Sequence, residues 1–198
     1  MEYKLLSPIE LAKLQQRVWQ IAKAHGWHEE RISTGQCCGL IMTEIAEAVE
    51  ADRNGSRART NMMIDALNSL SEGGHDFGHN SHEDWFEAYY ISYVKDSVEE
   101  EFADVIIRLL DTAQEIHEDK MQWFCSRECK VFRKGNSFIE NAWYFVSEVL
   151  NWGMINISES IIFMYDWATD LDIDLYQHVE WKMRYNEHRP YKHGGKKY

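Results

Sequence analysis

Residues 44–49, Glu-Ile-Ala-Glu-Ala-Val, and residues 101–106, Glu-Phe-Ala-Asp-Val-Ile, repeat one pattern: a carboxylate, an apolar residue, alanine, a second carboxylate and two apolar residues. At helical pitch, carboxylates three positions apart share a face. Like charges placed one turn apart cost an isolated helix roughly a few tenths of a kcal/mol. Two copies of that arrangement, each beside an apolar stripe, point to a cation that compensates the repulsion. Glu44, Glu47, Glu101 and Asp104 offer only oxygen, which suits a hard ion: Mg²⁺, with Mn²⁺ as the alternative. A solvated acidic face would account for either pair alone. It accounts less well for two pairs set at the same angle to their stripes. A di-iron bundle site would need Glu-x-x-His on helices. The one such motif, Glu72-Gly73-Gly74-His75, falls in a glycine-rich stretch.

The elements that must carry these residues read as helices throughout, with only two prolines in the chain. Ser7-Pro8-Ile9-Glu10 is a capping box with proline at the first helical position, and Gly26 ends the helix it opens. A helix from about Thr34 to Arg53 stops near Asn54-Gly55, with the stripe Cys37, Ile41, Ile45, Ala48 and Val49. Glu50 points away from the acidic pair and is solvated. Short helices are predicted over 60–71 and 83–93, and a long one over 97–118. The long helix carries the stripe Val98, Phe102, Val105, Ile106, Leu109, Leu110 and Ala113, and Arg108 and Asp111 extend its polar face. Ser137-Phe138-Ile139-Glu140 opens another helix that Gly153 ends. Asn156 to Glu159 opens a further one, and Asp172 or Asp174 caps the last, which runs to about Tyr185. Residues 106–113 and 161–168 share a spacing that a common core-facing stripe explains; a duplicated helix would also produce it. The fold class is all-α.

The chain has 198 residues, 44% of them hydrophobic and 13% aromatic, enough for a core without staples. Its net charge of −12 argues against a general nucleic-acid binder. No apolar run approaches the ~18 residues of a membrane span, and the first residues, with Glu2 and Lys4, do not read as a signal peptide. A cytoplasmic setting with reduced thiols is the expectation. Cys125 and Cys129, four apart, could share a metal, but no second cysteine pair at zinc-finger spacing follows. His75, His79 and His82 lie in the stretch 71–84, whose composition reads as a solvated loop.

From Lys182 onward the balance turns basic: Lys182, Arg184, Arg189, Lys192, Lys196 and Lys197 against Glu187 alone. Lys182 and Asn186 lie one turn apart on the last helix. A basic, amide-bearing tail beside metal carboxylates suits an anionic ligand and phosphoanhydride chemistry.

Three blocks of the chain resemble the all-α nucleoside triphosphate pyrophosphohydrolases, the MazG-like and dimeric dUTPase/dCTPase-like superfamily. The first runs from His25-Gly26-Trp27-His28 through Thr43-Glu44-Ile45-Ala46-Glu47 to Arg53. The second is Glu99-Glu100-Glu101-Phe102-Ala103-Asp104 to Asp111. The third runs from Asp172 through Lys182 and Asn186 to the C-terminal residue. They match the family order Glu-x-x-Glu, Glu-x-x-Asp, then Lys-x-x-x-Asn. The resemblance implies a four-helix-bundle-like core, Mg²⁺ held by Glu44, Glu47, Glu101 and Asp104, and hydrolysis of a nucleoside triphosphate to the monophosphate and pyrophosphate. It implies Glu47 as the carboxylate that orients or deprotonates water. Lys182, Asn186, Arg189 and Lys192 would hold phosphates or sugar, Arg108 a phosphate or base, and Trp27 or His28 the base. Relatives assemble as homodimers or homotetramers with sites near subunit interfaces. The chain departs from short relatives by insertions at about 57–94 and 112–171 within one helical domain spanning 1–198. The alternative is a catalytically silent nucleotide-binding or scaffold protein that retains the acidic helix faces.

Overall fold

A computed structural model describes residues 5–30, 32–71, 81–117, 132–149 and 157–192. Among the described residues there are eight α-helices and no strand: α1 (Pro8–Ala24), α2 (Thr34–Arg53), α3 (Thr60–Ser71), α4 (His82–Tyr93), α5 (Val98–His117), α6 (Phe138–Tyr144), α7 (Ile157–Asp170) and α8 (Leu175–Glu187). The chain starts its helices with one recurrent device. Ser7 and Glu10, Ser33 and Gln36, and Ser81 and Asp84 each exchange side chain for backbone N–H at the first turn. Ser7 and its proline were legible as such; Ser33-x-x-Gln36 and Ser81-x-x-Asp84 carry the same signature. Asp174, not Asp172, caps α8, accepting from the Gln177 amide at 3.2 Å. Asp172 instead takes the left-handed φ of 58° in the turn before it.

The element opened at Ser137 departs from the expected single helix. Regular α-helix stops at Tyr144 and widens into a π-helical turn, Phe145–Val149. Gly153 lies outside the described residues, as do Cys125, Cys129, His75 and His79. His82 sits in the first turn of α4, its Nε2 3.1 Å from the Leu70 carbonyl oxygen.

Helix α5 is the centre of the packing: it touches α1, α2, α7 and α8. Its stripe is the predicted one, with Val98, Phe102, Val105, Ile106, Leu109, Leu110 and Ala113 all fully buried. Leu11, Leu14 and Val18 of α1, Ile41, Ile45 and Ala48 of α2, and Val179 and Met183 of α8 close around it. Phe163 and Trp167 of α7 join Phe102 and Phe138 in an aromatic group, with the Phe102 and Trp167 ring centres 4.7 Å apart. The similar segments of α5 and α7 both bury the shared positions Ile106 and Ile161, Leu109 and Met164, Ala113 and Ala168. The common stripe is therefore a core-facing one in each.

Helices α3 and α4 pack on each other and reach α8 through a second apolar cluster, Met63, Phe86, Tyr90, Val94 and Trp181. Tyr90 stacks on Tyr185 at 4.6 Å. After α8 the chain turns back to α1. The Lys192 amide donates to the His25 carbonyl at 3.0 Å, and Lys192 Nζ pairs with Glu29 at 3.0 Å. The Tyr191 hydroxyl also donates to Glu29. Tyr191 packs against Gly26, whose φ is +80° and where an added Cβ would stand 2.2 Å from the tyrosine ring. Glycine is needed there for both reasons. No helix among the described residues is long and apolar enough to cross a membrane.

Candidate functional site

Helix α5 begins with three consecutive carboxylates, and helical pitch sends them in three directions. The positive end of the helix dipole favours all three. Glu99 turns to the α2–α3 connection, accepting from Arg57 Nε and the Ala58 amide, both at 2.8 Å. Glu100 turns to α8 and α4: its Oε1 accepts from Lys182 Nζ at 2.7 Å and the Tyr90 hydroxyl at 3.0 Å, and its Oε2 accepts from the Asp96 amide. Glu101 turns to α2. Ser97 fixes the start of the helix, its hydroxyl accepting from the Glu100 amide at 3.2 Å.

Carboxylate oxygens of Glu44, Glu101 and Asp104 come within 4.8 Å of one another between α2 and α5. Glu44 and Glu101 are buried and Asp104 is half-buried. Glu47, one turn along α2, is exposed and stands outside that trio while lining the same cleft. Burial, then the charges of Asp104 and Glu100, pushes the Glu101 carboxyl up to about 9. Burial also raises Asp104, and the ammonium of Lys182 works against that rise. Without a further cation the trio therefore holds a proton at neutral pH.

Two cations of the chain already serve the trio. Arg108 Nε donates to Glu44 Oε1 at 3.0 Å. Lys182 Nζ lies 2.6 Å from Asp104 Oδ2 and 2.7 Å from Glu100 Oε1. Lys182 is buried; desolvation alone would lower its pKa, but Asp104 and Glu100 hold it raised. Its ammonium thus rests on carboxylates, a different partner from the phosphate expected of it. Glu100, which anchors it, is the candidate-site residue the sequence reading passed over. The signal was the run Glu99-Glu100-Glu101, of which only the third was assigned a role.

The trio opens on a cleft of about 400 Å³ between α1, α2, α5 and α8. Trp27, Glu44, Glu47, Glu101, Asp104, Arg108, Lys182, Asn186 and Arg189 all line it. Nine of the eleven site residues named from the sequence thus meet in one place. Asn186 presents a buried Oδ1 with no hydrogen-bond partner. The Arg189 guanidinium lies 5.7 Å from the Tyr185 ring. Lys192 is one exception: it ties to Glu29 and is not part of the lining. His28 is not a lining residue either. Its ring packs 3.7 Å from that of Trp19, and its Nε2 lies 2.8 Å from Asp111 Oδ1. Comparison with protein-family models, with curated proteins and with solved structures finds no match for this chain.

Proposed function

We propose that this protein is a Mg²⁺-dependent nucleoside triphosphate pyrophosphohydrolase, adding water across the α–β phosphoanhydride of an NTP or dNTP to leave the monophosphate and pyrophosphate. One observation carries the reading: carboxylates of α2 and α5 share a cleft with Arg108, Asn186 and Arg189, which supply donors to an anion. The architecture agrees with it. Helix α5 packs against α1, α2 and α8, and α1 also against α8; on this reading these four are the core of a MazG-like fold and α3, α4, α6 and α7 are the inserted elements.

The donor set fits the ion. Three clustered carboxylates, one of them carrying a proton it holds only because burial and its neighbours forbid charge, are what a hard divalent cation would relieve. Glu44, Glu101 and Asp104 would hold it, with Glu47 at the open side. Mg²⁺, when bound, neutralises phosphate charge and polarises the phosphorus centre. The chain's own residues do the rest. Glu47, exposed to the cleft, orients the attacking water and accepts its proton. Arg189 and the Asn186 amide hold the phosphates, and Arg108 reaches them from α5. Lys182 keeps Asp104 and Glu100 in register from below and does not reach for the substrate. Trp27 supplies a face for the base. Assembly as a homodimer or homotetramer in the cytoplasm belongs to the same reading.

The test is pyrophosphate release from a panel of NTPs and dNTPs with Mg²⁺. Release is expected from at least one, and Glu44→Gln or Asp104→Asn should reduce it at least a hundredfold with helical content unchanged. No release from any nucleotide by folded protein would sink the proposal. A second reading is favoured by the Lys182 ammonium, 2.6 Å from Asp104, which already supplies a positive charge: a catalytically silent nucleotide-binding or scaffold protein. Binding of a non-hydrolysable triphosphate without turnover of the natural ones would favour it.

A further inference from the structure

We propose that Asp111 selects the nucleobase, favouring bases with an exocyclic amino group over uracil and thymine. This rests on the nucleotide reading above, and deepens it. Glu101, Asp104, Arg108 and Asp111 follow one another along α5, and all four line the cleft. Asp111 stands two turns beyond Asp104, about 10.5 Å along the helix axis. That is comparable to the span of a nucleotide from its phosphate to the edge of its base. The same lining holds the apolar side chains of Ile21, Trp27, Leu40 and Ile107. Carboxylates for a metal, a guanidinium for phosphate, apolar side chains for a base face and a further carboxylate for a base edge thus share one cleft.

Asp111 is held in one orientation. Its Oδ1 lies 2.8 Å from His28 Nε2. A carboxylate only accepts, so Nε2 carries the hydrogen of that bond. His28 is itself fixed: its side chain is 4% exposed and its ring rests on Trp19. The second oxygen of Asp111, Oδ2, has no hydrogen-bond partner among the described residues. It can accept from the amino group of cytosine, adenine or guanine. Set against O4 of uracil or thymine, it would face another acceptor. A hydrogen bond to a charged acceptor, present for one base and replaced by lone-pair repulsion for the other, discriminates roughly ten- to a hundredfold.

The experiment measures equilibrium binding of dCMP, dAMP, dGMP, dUMP and dTMP by calorimetry, without turnover. The wild-type protein should bind the amino-bearing monophosphates at least about tenfold tighter than dUMP and dTMP. Asp111→Asn keeps the shape but can turn an amide N–H toward O4, so the preference should vanish or reverse. Asp111→Glu, which keeps the acceptor, should retain its sign. Equal binding of both classes by wild type, no binding of any monophosphate, or a preference unchanged in Asp111→Asn would overturn the proposal. A residue that only held His28 in place would shift the melting temperature and leave the ratio alone. The hydrolase reading fails separately: preference in binding with no pyrophosphate released from any triphosphate would remove the activity and leave the base assignment standing.

Discussion

Lys182 is a tethered cation beside the carboxylates. Its ammonium is buried between Glu100 and Asp104, so removing it strands two desolvated carboxylates. Breaking a buried pair from one side costs about 3–5 kcal/mol. Lys182→Met should lose stability on that scale in urea denaturation, and Mg²⁺ should restore part of it if the trio binds the ion. Glu101→Gln acts in the other direction. It removes a carboxyl that burial and its neighbours already hold protonated, so it should leave the metal-free protein folded while erasing any Mg²⁺-induced rise in melting temperature. At this scale the sequence showed which carboxylates could converge, because spacing along a helix is arithmetic. It did not show that Lys182 would face them. That depends on how α8 rotates against α5, which no local pattern encodes.

Helix α5 carries the core stripe on one side and Glu101, Asp104, Arg108 and Asp111 on the other. Its stripe and that of α2 were readable from period and caps, and the observed bounds of α2 match the expected ones. The stretch after Ser137 was harder to read. Its capping box announced a helix correctly, but the switch to a π-helical turn at Phe145 depends on packing, since Phe145 is fully buried and its ring lies 5.5 Å from Phe163. The helices of 57–94 and 157–170 were legible as such, yet their partners were not: α7 enters the main core, while α3 and α4 build a cluster of their own against α8. Because site and core share α5, a cavity in the stripe should be felt in the cleft. Leu109→Ala should cost about 2–5 kcal/mol by denaturation. Under the proposed function it should also weaken nucleotide binding, although Leu109 does not line the cleft.

Across the whole molecule one buried histidine sets an acid limit. His178 is 1% exposed, with Nε2 3.3 Å from the Thr60 hydroxyl and Nδ1 without a partner. Burial lowers its pKa to about 4. The unfolded chain protonates this histidine near its ordinary value and the folded one does not. Its contribution is therefore present above about pH 6.5 and is lost as the pH falls toward 4, a change on the order of 3 kcal/mol. Urea midpoints measured between pH 7 and 4.5 should fall more steeply for wild type than for His178→Gln. Equal slopes would remove His178 as the cause. The closing segment has a kinetic consequence of its own. Tyr191 and its partner Glu29 are 162 residues apart, so their contact closes nearly the whole chain into a ring. Such a contact is expected to form after α1 and α8 have docked on α5 and to be among the first released. The Lys192 amide, bonded to His25, should exchange its hydrogen far sooner than the amides of α5. The rim of the cleft at His25 and Trp27 would then open and reclose many times within the lifetime of a single folded bundle.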